Sequence, residues 1–97
     1  MRFIIIEFKE GLKINKRIGV VGIVIDDRQK VAGKVNSILS QHGDIILGRM
    51  GIPSREYNIS VISLIVEGTP DELGSLTGKL GNLNGVTLKS ALTSKEV

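Results

Sequence analysis

KRIGVVGIVI, residues 16–25, is apolar and largely β-branched on both of the faces that a strand's alternation creates. An edge strand or a strand with one wet face would alternate with polar residues. This run does not, so it reads as a central strand of a sheet. A second run of the same kind, ISVISLIV at 59–66, is interrupted only by its serines. Two central strands in one short chain already favour a four-stranded sheet, and the segments around them supply the rest.

After the first run, Asp26 or Asp27 offers an N-cap, and Val31, Val35, Ile38 and Leu39 form one helical stripe. Gly43, following His42, reads as the residue that stops this helix. Residues 45–52 are extended and end at Pro53. After the second central run come Thr69 to cap a helix, Pro70 for its first position and Glu72 to close a capping box. Leu73, Leu76 and Leu80 make its buried stripe, and Gly81 ends it. Residues 86–92 place Val86, Leu88 and Leu92 on one side and Thr87 and Lys89, with Thr93 beyond, on the other, a strand with one wet face.

The order β-α-β-β-α-β predicts an α+β, ferredoxin-like sandwich with an antiparallel sheet in the order 4-1-3-2. That order puts the first and third strands in the middle, where the doubly apolar runs belong. Right-handed crossovers put both helices on one face of the sheet. The opposite face then exposes aliphatic side chains from the central strands, which a monomer rarely leaves wet. The expectation is a homo-oligomer, dimer or tetramer, joined through the helix-free sheet face.

Composition narrows the class. The chain has 97 residues, 41% hydrophobic and 24% charged, which suits one soluble domain. Aromatics are only 3%, so Ile, Val and Leu must build the core. No cysteine is present, which removes disulfides and thiolate chemistry. The opening MRFIIIEFKE is too short and too interrupted for a signal peptide or membrane span, so a cytoplasmic location is expected, with no membrane contact. Arg2, Lys9, Lys13, Lys16 and Arg17 against Glu7 and Glu10 account for the whole net charge of +3. The body therefore has no basic excess, and direct nucleic-acid binding is not expected.

GRMGIPSREYN, residues 48–58, separates two strands with far more chemistry than a hairpin needs. Gly48 and Gly51 match the letters of a loop that clamps nucleic-acid backbones, but that loop joins helices and these glycines fall in or beside a strand. They read as bulge or close-approach glycines of an edge strand. GSLTGKL at 74–80 is one residue short of a phosphate loop and has Leu80 where Ser or Thr is needed. Its small residues read instead as letting a helix approach the sheet. Asp26, Asp27 and Arg28 follow the first strand, where two carboxylates would repel a phosphate. The first and third strands carry no aromatic residue on which RNA bases could stack. No nucleophile–base pair is legible, so the chain reads as no enzyme, with no cofactor. His42 is the only histidine and the sole, weak candidate for a metal ligand.

RIGVVGIVIDDR, HGDIILGRMGIP and NISVISLIVEGTPDELGSLTGKLGNLNGV, with the short final strand, resemble the iron-only hydrogenase system regulators over residues 17–92. GRMGIP is the most distinctive piece. The resemblance implies an ACT-like fold, similar to the C-terminal domain of nickel-responsive regulators, and a regulatory role. Those regulators hold metal through clustered His and Cys, of which only His42 has a counterpart here. Amino-acid-binding ACT domains have a Pro-Gly pair after the first strand, where this chain has Asp27, Arg28 and Gln29. Residues 17–97 then form one ACT-like domain, and residues 1–16 an N-terminal extension that adds a strand, exchanges between subunits or stays unordered.

The functional expectation is a non-catalytic, oligomeric regulator with a small effector at a subunit interface. The residues in question are Asp26, Asp27, Arg28, Gly48, Arg49, Met50, Gly51, Arg55 and Tyr57. Arg49 or Arg55 would hold an anionic group. The alternatives are a module that docks a hydrogenase-related protein through the same loop, and a metal sensor using His42 from several subunits.

Overall fold

The computed structural model describes residues 15–96. The expected strand or exchange of the N-terminal extension falls outside them up to residue 14. The elements run β1 (Arg17–Asp26), α1 (Arg28–Gln41), one 3-10 turn (Gly43–Ile45), β2 (Ile46–Ser54), β3 (Ile59–Gly68), α2 (Pro70–Gly81) and β4 (Val86–Glu96). The strands form a single sheet in the order β2-β3-β1-β4, antiparallel throughout. This is the expected 4-1-3-2 arrangement, with the two doubly apolar strands inside.

Alternation sorts each strand into two faces. Val21, Ile23 and Ile25 of β1 and Ile62, Leu64 and Val66 of β3 are buried against Val35 and Leu39 of α1 and Leu73, Leu76 and Leu80 of α2. Their neighbours in sequence point the other way and meet no helix. Across that helix-free face the register lines up Ile52, Val61 and Val24 in one row, Met50, Ser63 and Gly22 in the next, and Gly48, Ile65 and Val20 in a third. Val20 is 47% exposed, Val61 45%, Ile65 50%, Ile52 63% and Met50 64%. The aliphatic face expected of the central strands is therefore open, and the edge strand β2 enlarges it.

Several local expectations are corrected. Asp27 occupies the N-cap position of α1 in the left-handed region (φ 51°) and caps nothing with its side chain. Its carboxylate instead accepts from Asn58 Nδ2 at 3.3 Å and lies 3.8 Å from Lys30 Nζ. Gly43 is not a left-handed stop: the His42 N–H bonds back to Ile38 and Leu39, and Gly43 opens the 3-10 turn. The only positive-φ glycine among the described residues is Gly85, at φ 86° before β4. Gly81 is the last residue of α2, and Asn82 caps it. A Cβ at Gly74 or Gly78 would meet nothing within 4 Å, so these glycines face outward and do not bring the helix closer to the sheet. β2 continues through Pro53, which an edge strand tolerates because its missing N–H faces no partner.

The capping box of α2 forms as expected. The Glu72 N–H donates to Thr69 Oγ1 at 3.2 Å, and the Thr69 N–H donates to Glu72 Oε1 at 2.9 Å. Thr69→Ala is expected to cost about 1 kcal/mol, read as a lowered urea midpoint at neutral pH. The Thr69 backbone N–H holds the Glu72 carboxyl below its ordinary value, ahead of the Thr69 hydroxyl bond and the Lys16 charge, despite slight desolvation. A depressed folded value means that the stabilisation is full above the unfolded value and disappears as pH falls through the folded one. Glu72→Gln is expected to be less stable than the unsubstituted chain at pH 7, the difference vanishing in acid melts.

Candidate functional site

Asp26, Asp27 and the start of α1 lie at one end of the sheet, and the turn at 55–58 between β2 and β3 lies at the same end. The Asp26–Ile59 pairing brings them together. The link is Asn58, whose amide donates to Asp27 Oδ1. Both residues sit in the left-handed region, at φ 51° and 52°. Two short polar side chains that tolerate this conformation thus tie the hairpin to the β1–α1 junction. Arg55 and Tyr57 project from the turn, Tyr57 at 68% exposure. Arg28 contributes the first residue of α1.

β2 divides the remaining candidates between the faces of the sheet. Arg49 pairs with Leu64 and Gly51 with Ile62, both on the helix side. Gly48 and Met50 pair with Ile65 and Ser63 on the helix-free side. The ladder shifts between Ile46 and Gly48, as an edge bulge would, and leaves Leu47 exposed. A Cβ at Gly48 would meet nothing within 4 Å and at Gly51 would make only ordinary contacts, so no close approach within the chain demands either glycine. One segment therefore serves two surfaces.

On the helix side, α1 and β2 leave a groove of about 250 Å³ between them. Its floor is apolar, made by Ile25, Ile62, Ala32 and Pro53, and its polar groups are Arg49, Asn36 and Ser60. Arg49 Nη2 donates to Asn36 Oδ1 at 3.0 Å, which holds the guanidinium at the groove while leaving it exposed. A fixed planar fork beside an apolar floor suits a carboxylate or phosphate on a small apolar body. Asn36, Ser60 and Asn58 were not legible as site residues. Only Asn58, following Tyr57 in a turn, carried a signal, its tolerance of positive φ.

His42 lies elsewhere, at the end of α1. A cleft of about 380 Å³ there is lined by Gln41, His42, Asp44, Ile45, Asp71, Glu72 and Ser75. His42 Nε2 is buried and, among the described residues, has no hydrogen-bond partner. Among the described residues no three His, Cys, Asp or Glu side chains are placed to hold a metal ion. Nor is any described helix long and apolar enough to cross a membrane.

A ferredoxin-like sandwich with an open sheet face and a charged groove at the edge strand defines an ACT-like α+β domain. The family model that matches residues 17–90 carries the description "Iron-only hydrogenase system regulator, putative", and the chain belongs to this TM1266-like family. Among solved structures it is similar to the uncharacterized protein TM1266 from Thermotoga maritima, at 38% identity and a TM-score of 0.78. That match covers 81% of this chain and 99% of the other. The C-terminal domain of the MgtC protein from Mycobacterium tuberculosis shares the fold at 18% identity and a TM-score of 0.59, over 79% of this chain and 87% of that one. No curated protein matches the chain.

Proposed function

We propose that this chain is a non-catalytic, cytoplasmic regulator of an iron-only hydrogenase system, working as an oligomer and responding to a small anionic effector. The effector binds in the Arg49 groove, and the observation that carries this reading is the Asn36-held guanidinium over a floor of Ile25 and Ile62. Family membership supports the regulatory role.

The groove's size and charge suit an amino acid, a short-chain acid or a small phosphate ester. A thermal-shift screen of amino acids, nucleotides and divalent metals tests this. A probe at a hundred times its Kd is expected to stabilise the chain by about 2.7 kcal/mol. The gain of an anionic probe should disappear in Arg49→Ala, with Arg55→Ala as the comparison. Stabilisation that survives both substitutions together overturns the arginine assignment. Stabilisation by a divalent metal that is lost in His42→Ala would favour the metal-sensor reading instead.

A further inference from the structure

The helix-free face is ridged, and its ridges are ordered. Ile52, Val61 and Val24 stand in one row across the strands, and Ile65 and Val20 in a row four residues along. Between them lies the row Met50, Ser63, Gly22 and Lys89. Its centre has almost no side chain: Gly22 has none, and Ser63 is the smallest polar residue. A Cβ at Gly22 would meet only the Lys89 carbonyl, at 3.8 Å. The face therefore carries a transverse trough between two aliphatic ridges. At the β2 end of the trough stands Met50, 64% exposed. Beside it is a depression of about 170 Å³ lined by Gly48, Arg49, Ser63 and Ile65, with Met50 itself as one wall.

A flexible apolar projection and an apolar recess on one surface are what an isologous two-fold contact requires, since each copy offers both. We infer that this face mates with a second copy of the same chain, the Met50 side chains filling the joined troughs over Gly22 and Ser63. The inference rests on the oligomeric reading above and assigns its contact. Charge favours a second copy over a different partner. Lys89 is the single charged residue in the three central rows, so a partner recognised by charge finds little to grip. Size agrees as well. Four strands about 4.8 Å apart and some 30 Å long present roughly 600 Å² in projection. That footprint is of the same order as the roughly 800 Å² per partner of a stable complex.

Sedimentation equilibrium of the full chain at micromolar concentration, with Gly22→Arg and Met50→Glu, is the test. The unsubstituted chain is expected at two or four times its 10.5 kDa mass. Gly22→Arg fills the trough and Met50→Glu makes the projection a charge, so each should lower the assembled mass with the circular dichroism spectrum unchanged. Should Gly22→Arg fail to fold, Met50→Glu decides alone, because its side chain already stands in solvent. An unsubstituted chain that runs as a monomer overturns both this contact and the oligomeric reading. An oligomer whose mass neither substitution changes overturns the contact only.

Discussion

Leu64→Ala is expected to lower the unfolding free energy by about 3 kcal/mol and the Tm by roughly 10–20 °C, measured at fixed protein concentration. Leu64 sits at the centre of β3, fully buried, with Val21 of β1 opposite on one side and Arg49 of β2 on the other. Among the described residues the core it belongs to contains only Val, Ile and Leu, and none of these is a large ring that could tilt to fill the space. Its walls are the fixed backbones of two neighbouring strands and two helices, which collapse poorly onto a lost isobutyl group. A domain of this size has about 5–15 kcal/mol in total, so the loss is a large share of its stability. The same substitution removes the neighbour against which the stem of Arg49 lies in register. Binding of an anionic probe at the groove should therefore weaken in Leu64→Ala even well below its Tm. A loss under about 1 kcal/mol would mean that the helices close over the cavity.

The fold was legible because burial and alternation agree along β1 and β3. β1 and β3 had to be central, since residues on both of their faces are aliphatic, and only the 4-1-3-2 order puts both inside. Thr69, Pro70 and Glu72 announced α2 through interactions confined to four consecutive residues. The failures concern contacts between distant segments. Asp27 looked like an N-cap, but its carboxylate is taken by Asn58, 31 positions later, which no local pattern reveals. Gly74 and Gly78 looked like contact residues because they are small, yet their positions on α2 face outward. Asn36 reaches the groove only because α1 lies over the β2 edge.

The segment GRMGIPSREYN shows the same division. Its glycines, arginines and tyrosine marked it as more than a turn, but residue type alone could not separate the two surfaces. The pleat does so by parity: Arg49 and Gly51 belong to the helix side, Gly48, Met50 and Ile52 to the open face. A substitution in this strand therefore has to be read for its own face. Arg49→Ala tests effector binding, while Met50→Glu tests assembly.

Gly19→Ala is expected to destabilise the chain by about 2 kcal/mol, the kind of cost that follows from overpacking, although it adds a single methyl group. Gly19 is buried on β1 opposite Leu92 of β4. A Cβ there would collide with Leu92 Cδ2 and lie 2.7 Å from the Ala91 carbonyl oxygen, so backbone would have to move. The place is already delicate, because the β1–β4 ladder shifts register between Arg17 and Gly19. Side chains bridge the gap: Thr93 Oγ1 donates to the Ile18 carbonyl at 2.8 Å, and Arg17 Nη1 donates to the Ser94 carbonyl at 2.6 Å. Pushing β4 outward at Gly19 strains both bonds as well as the contact with Leu92. Gly22, three residues on in the same strand, gives the opposite result, since a Cβ there makes only an ordinary contact with the Lys89 carbonyl and relieves the entropic cost of glycine in a strand. Compared in the Met50→Glu background, which keeps assembly out of the measurement, Gly22→Ala should be neutral or stabilising by a few tenths of a kcal/mol. Urea unfolding of the two variants side by side decides the matter. Equal effects would mean that glycine's backbone entropy, and not the Leu92 contact, sets the demand at residue 19.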